Sequence, residues 1–283
     1  MTSPGDGHLK RLLRLANGAL SPEPGAGRIM IALGFGLVTH IVFALAVAAM
    51  VIAMFFGMGK SLGTVPWPAA ALTNALLILQ FPLAHSLLMT GRGMKWLARF
   101  VPGPHGATLG TTTYAMIASL QLLALFVLWT PSGIVWWQAE GWAFYLVTAL
   151  YVASWALLIK ASWDAGAEVQ SGALGWMSLM QNAKPVFPDM PTTGLFRVIR
   201  QPIYVAFALT LWTVPIWTPD QLTLAIALTT YCLAAPMLKE RRFEKRFGRR
   251  FEDYKKDVPY AVPKLRFTGR SSAQGLRHPA SKN

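Results

Sequence analysis

Cysteine is almost missing from this chain. Cys232 is the single one in 283 residues, inside an apolar stretch, so no internal disulfide forms and no cysteine-based metal spacing exists. Charge is scarce as well, at 13% of residues against 54% hydrophobic ones. Acids are the scarcer sign: 12 Asp and Glu face 26 Lys and Arg, for a formal net charge of +14. No metal-ligating cluster is visible, and no metal is expected. The first 25 residues lack an apolar core before a cleavage site, so no signal peptide is expected. There is no internal repeat. No recognition motif accompanies the positive charge, so nucleic acid is not expected as a partner. No feature identifies an oligomeric state.

Long apolar runs are what the sequence has in abundance. A helix needs about 20 apolar residues to span a bilayer. Spans are expected over about Ile29 to Phe56, Ala69 to Met89, Thr111 to Trp129 and Trp142 to Ile159. A hairpin follows, with arms from about Ile203 to Ile216 and Leu222 to Leu238 around Thr218-Pro219-Asp220. The first arm is short for a full span. The expected fold is an all-α integral membrane protein, a bundle of about five to six transmembrane helices. A C-terminal helical hairpin and a cytoplasmic amphipathic helix over Lys239 to Lys256 complete it. Residues 28–265 are read as one polytopic domain, 1–27 as a polar leader and 266–283 as a disordered basic tail.

Within the leader, Leu9 to Leu20 suits a basic amphipathic helix lying on the membrane. The second span carries Asn74, Gln80, Pro82, His85 and Ser86, polar for a lipid-facing helix. Eleven residues separate Asn74 from His85, which puts them on nearly one face. Such groups face a bundle interior or a cavity. Trp129, Trp136, Trp137 and Trp142 suit an interface belt. Lys160 to Thr193 is too polar to span and reads either as a lid or as a solvated loop, with Asp164 and Glu168 spaced to share a helix face.

Fourteen of the 26 basic residues lie from Lys239 onward, the signature of a segment resting on anionic lipid. Lys60 is the one basic residue in the connections assigned outside. The positive-inside rule therefore places both termini, and the feet of the hairpin, in the cytoplasm.

Those feet carry the chemistry. Gly194 to Tyr204 reads Gly-Leu-Phe-Arg-Val-Ile-Arg-Gln-Pro-Ile-Tyr, and Lys239 to Gly248 reads Lys-Glu-Arg-Arg-Phe-Glu-Lys-Arg-Phe-Gly. A helical hairpin would bring Arg200, Tyr204 and Glu240 together across forty residues. The alternative is an ordinary hairpin with a basic, lipid-facing foot, in which Arg197 and Arg200 meet lipid phosphates and Glu240 pairs with helix neighbours. Glu244 reads as a solvated-face residue.

This run resembles the C-terminal signature of the isoprenylcysteine carboxyl methyltransferase family: Arg-His-Pro-x-Tyr, an apolar hairpin, Glu-Glu, Phe-Gly, two tyrosines and Val-Pro. Arg200, Pro202, Tyr204, Glu240, Phe247, Gly248, Tyr254, Val258 and Pro259 match. Gln201 stands for the His, Lys239 for the first Glu and Phe251 for the first Tyr. Ala84-His85-Ser86, Gly93 to Trp96, Arg99 to Pro102, Leu128 to Pro131 and Thr193 to Arg197 are similar to bacterial methanethiol S-methyltransferases. The His-Ser region is also similar to NnrU-like membrane proteins, and membrane sterol reductases share a looser C-terminal likeness.

The resemblance implies S-adenosylmethionine as cofactor, a multi-pass protein of a bacterial inner membrane, and a small thiol or lipophilic substrate. Arg200, with Arg197 beside it, would hold the cofactor's carboxylate through a planar fork. Glu240 would take its ammonium or ribose. Tyr204 would pack on it, Gln201 would hydrogen bond, and Pro202 would shape the helix entry. His85 is the candidate base for a thiol proton, since the thiolate is the nucleophile. Methanethiol is the lead substrate. An isoprenyl-cysteine or other lipid, and a non-catalytic NnrU-like role favoured by Gln201 and Lys239, stay open.

Overall fold

Every expected apolar run becomes a helix. The computed structural model describes residues 7–264, and the tail expected at 266–283 lies outside the described residues. A short helix α1 (His8–Leu20) precedes the first span, α2 (Ala26–Phe55), and the second, α3 (Ala69–Leu88). Thr90 caps α4 (Gly91–Leu97) by accepting from Gly93 N at 3.1 Å. Two further spans follow, α5 (Gly110–Leu128) and α6 (Gly141–Asp164), separated by the two-residue strand β1 (Trp137–Gln138). Next come α7 (Ala167–Gln170) and α8 (Ala173–Met180), then the short apolar helix α9 (Pro202–Trp212) and strand β2 (Ile216–Trp217). The chain closes with α10 (Pro219–Phe247) and α11 (Arg249–Asp257). Among the described residues, α2, α3, α5, α6 and α10 are long and apolar enough to cross a membrane. This is an all-α, multi-pass integral membrane protein.

The core is built where α2, α5, α6, α9 and α10 meet, around Met54, Phe126, Trp129, Leu211, Leu224 and Leu228. Two polar side chains of α3 are paired with neighbouring segments. Asn74 Nδ2 donates to Thr130 O at 2.9 Å while Thr130 N donates back to Asn74 Oδ1 at 3.0 Å. Gln80 and Gln121 each donate to the other's backbone carbonyl, at 2.8 and 3.0 Å. Each such bond is worth about 0.6–2 kcal/mol in a membrane. Asn74 is therefore a staple, although it shares a face with His85.

The hairpin differs from expectation at both ends. Its first arm stops at Trp212, about 16 Å of helix at 1.5 Å per residue, against a hydrocarbon core of about 30 Å. Ile216 and Trp217 instead pair antiparallel with Gln138 and Trp137. Thr218 caps α10 through Gln221 N (2.9 Å) and donates to Gly57 O (2.6 Å). Asp220 accepts from Trp129 Nε1 at 3.1 Å and from Ser132 N and Oγ at 2.9 and 2.6 Å. At the other end α10 does not stop at Leu238. It runs unbroken to Phe247, because Lys, Glu and Arg are good helix formers and nothing before Gly248 interrupts them. Gly248, at φ +52°, makes the break before α11.

The stretch from 160 to 193 is packed rather than bare. Helix α8 lies against α2 and α5, with Trp176 Nε1 donating to His40 Nε2 at 3.0 Å. Asp164 and Glu168 do not share a face, because α6 ends at Asp164 and Gly166 turns the chain at φ +97°. Glu168 instead forms a buried ion pair with Arg11 at 2.9 Å, the two side chains 4% and 5% exposed. Arg11 also donates to Val186 O, and Gln181 Nε2 to Leu15 O. Helix α1 is thus pinned to α8 by one face, while Leu9, Leu13 and Leu20 stay exposed on the other.

Candidate active site

The motif begins where α6 ends. Asp164 Oδ2 accepts from Leu195 N at 2.9 Å, which fixes the turn Gly194–Arg197. A Cβ at Gly194 would sit 2.2 Å from that carboxylate, and its φ of +59° favours glycine in any case. The C-terminal strap then clamps the turn. Arg200 N donates to Pro259 O (2.9 Å), Gln201 N to Tyr260 O (3.1 Å), and Tyr254 Oη to Phe196 O (2.6 Å). Burial pushes the Tyr254 phenol up to about 12, so it stays a protonated donor at neutral pH. Pro202 takes the first position of α9, where its missing N–H leaves nothing unpaired.

Arg200 and Glu240 meet as expected. Arg200 Nε donates to Glu240 Oε1 at 2.9 Å and Nη2 to Oε2 at 3.4 Å. Its Nη1 donates to Lys255 O and Val258 O, at 3.2 and 2.6 Å. Gln201 Nε2 adds a 2.7 Å bond to Glu240 Oε1. Gln201 and Glu240 are only 3% and 8% exposed, so this is an interior network tying α9, α10 and the strap together. Arg200 spends most of its fork inside the protein. Arg197 is exposed and outside the network. Glu244, read as solvated, pairs with Lys255 at 2.6 Å on a part-exposed face.

Lys239 and Tyr204 join the network on its α9 side. Lys239 Nζ donates to Gln201 Oε1 at 3.4 Å and stands 5.8 Å from the Tyr204 ring centroid. Tyr204 lies within electrostatic reach of Tyr231 and Arg242.

That reach leads to His85. Helix α3 packs on both α5 and α10, and His85 enters the space between them. Its ring lies 5.0 Å from Phe81, 5.0 Å from Tyr114 and 6.4 Å from Tyr231. Arg242 is within electrostatic reach of His85 and Tyr114. His85 Nδ1 is buried with no hydrogen-bond partner among the described residues. A titratable nitrogen therefore lies unpaired among aromatic rings next to the motif. Tyr204 is the residue that joins these rings to the Arg200–Glu240 network. The sequence marks Tyr114 only as the start of a stretch similar to the methanethiol S-methyltransferases, and Tyr231 and Arg242 had not stood out in it. A signal was there for these two, since Tyr231 and Arg242 are eleven residues apart on one face of α10.

Over 212 residues the chain is 30% identical to the methanethiol S-methyltransferase of Pseudomonas sp. (strain GM41(2012)), spanning 74% of this chain and 80% of that one. The chain belongs to the methanethiol S-methyltransferase family. The enzyme of the same name from Pseudomonas deceptionensis is 29% identical over 214 residues, with 74% and 80% covered. Nurim of Sus scrofa is 31% identical over 165 residues, 55% of this chain and 61% of that one. No family model and no solved structure matches the chain. The relatives make it a membrane methyltransferase, and a methyltransferase needs a methyl donor.

Proposed function

We propose that the protein transfers a methyl group from S-adenosylmethionine to a small thiol, with methanethiol as substrate and dimethyl sulfide as product. The observation that carries this reading is the buried, unpartnered His85 Nδ1 among aromatic rings on the side of the Gln201–Glu240 network. An orphaned acceptor beside exposed and buried charges of both signs fits a thiol next to a zwitterionic ligand. Gln201, Tyr204 and Glu240 would hold the donor, Arg200 would keep Glu240 in place, Arg197 would serve at the rim, and Pro202 would shape the entry. When bound, S-adenosylmethionine supplies an electrophilic methyl on a sulfonium sulfur. His85 Nδ1 takes the thiol proton and leaves the thiolate, the competent nucleophile. Arg242 favours an anion there, and Phe81, Tyr114 and Tyr231 exclude water. Positioning of this kind supplies about 7–11 kcal/mol of a barrier. The one-sided basic residues support a cytoplasmic location for the hairpin feet, where S-adenosylmethionine is made.

A second reading is favoured by one feature. A cavity of about 210 Å³ between α9 and α10, lined by Val205, Ala208, Leu209, Trp212 and Cys232, reaches Gln201 and Tyr204. It suits a lipophilic substrate entering from the bilayer. The test supplies purified protein with labelled S-adenosylmethionine and either methanethiol or an isoprenyl-cysteine analogue. Label in dimethyl sulfide is the expected result. Label only in the analogue would replace the substrate, and label in neither would leave the non-catalytic, NnrU-like role.

A further inference from the structure

Among the described residues, Lys239 is the one charged group of the network without an opposite charge in direct contact. Its ammonium has three donors, and its one hydrogen bond to a described residue is the 3.4 Å contact to Gln201 Oε1. The rest of its surroundings are rings: Phe243 at 5.4 Å, Phe196 at 5.6 Å and Tyr204 at 5.8 Å from Nζ. Such faces attract a cation but do not replace an anion or water. Both oxygens of nearby Glu240 are already taken, Oε1 by Arg200 and Gln201 and Oε2 by Arg200. Arg200 and Glu240 balance each other, so Lys239 leaves one positive charge in excess. Arg242, further along α10, only adds to it. A glutamate at 239, as in the isoprenylcysteine carboxyl methyltransferase pattern, would leave one negative charge in excess. The trio has changed sign, and a strongly hydrated ammonium held among rings gains most from an anion.

Lys239, Gln201, Glu240, Phe196 and Phe243 line one crevice, so an anion reaching Lys239 is a ligand of the same site. We propose that Lys239 binds the α-carboxylate of the methyl donor, with the Gln201 carbonyl aiming the ammonium and the three rings limiting where it can go. This rests on the S-adenosylmethionine reading above. It moves the carboxylate-binding role from Arg200, whose fork is spent on Glu240 and the strap, to the residue that departs from the family pattern.

Calorimetry in detergent tests it with two ligands, S-adenosylhomocysteine and its analogue with the carboxylate converted to a neutral amide, which keeps the ammonium. The parent is expected to bind the acid roughly tenfold or more tightly than the amide, the size of a charge-assisted hydrogen bond. Lys239→Met should bind both ligands alike, at the level of the parent with the amide, and Lys239→Arg should keep the preference. Lys239→Gln, which keeps a polar head without charge, gives the same loss and serves if the methionine variant does not stay monodisperse. An undiminished acid preference in the uncharged variants would overturn the role of Lys239 and leave the cofactor reading standing. A parent that binds neither ligand would remove that reading and this proposal with it.

Discussion

Arg200 and Glu240 are forty residues apart in sequence and 2.9 Å apart in space, the ion pair that ties the foot of α9 to α10. Because Arg200 also donates to Lys255 O and Val258 O, one side chain carries the junction of α9, α10 and the strap. Removing it leaves Glu240 nearly buried with Gln201 as its remaining donor. Arg200→Ala is expected to lower stability by about 3 kcal/mol, within the range for breaking a buried pair. Glu240→Gln, which keeps an acceptor for Gln201, should cost less. Thermal unfolding in detergent measures both. Equal melting temperatures for parent and Arg200→Ala would contradict the junction.

Tyr254 is expected to titrate late. Its folded pKa is raised to about 12 by burial, above the ordinary value near 10. The fold therefore favours the neutral phenol. Its contribution is fully present below pH 10 and is lost as pH rises through about 12. Tyrosinate absorbance of the parent minus that of Tyr254→Phe should show one residue ionising in that upper window. Loss of the bond to Phe196 O should also cost the variant about 1–2 kcal/mol. A difference spectrum centred near pH 10 would speak against the burial.

Arg11 and Glu168 hold α1 to α7 through a buried pair. Arg11→Met alone strands a buried carboxylate and is expected to destabilise by about 3–5 kcal/mol. Arg11→Met with Glu168→Met should be milder than either single change. Limited proteolysis of the N-terminal helix and thermal unfolding together form the cycle. Additive effects would mean the pair is not coupled.

His85→Ala should slow methyl transfer to a thiol by roughly 10²–10⁴, the usual worth of a positioned base. Binding of S-adenosylhomocysteine should stay unchanged, because His85 is outside the Gln201–Glu240 network. A variant at full rate across pH would leave the reaction intact and remove the base.

Much of the site was legible as a list and little of it as a geometry. Arg200, Gln201, Pro202, Tyr204 and Glu240 are recognisable by motif, and the hairpin that unites them follows from two apolar runs. What the motif could not show is that Arg200 satisfies itself internally. Whether a guanidinium faces a ligand or a neighbouring carbonyl depends on backbone 55 to 58 residues further on. His85 was legible as an ionisable group in a span. Its companions were not, because Tyr114, Tyr231 and Arg242 are ordinary residues until three helices rotate them toward it. Asn74 shows the converse: its shared face with His85 was readable, yet Thr130 makes it a staple.

By itself the sequence determined that the chain has about five spans and where the first four lie. That is so because helix rise and bilayer thickness convert an apolar run directly into a crossing. It also determined the uneven spread of basic residues along the chain and which residues make up the C-terminal motif. Tertiary structure decided the rest: that α9 stops short and yields to a strand pair, that α8 packs into the bundle, and that α1 is pinned by a buried arginine. Each of these turns on which face of a helix meets which neighbour. Rotation about a helix axis is fixed by packing between elements distant in sequence, and no local pattern carries that information.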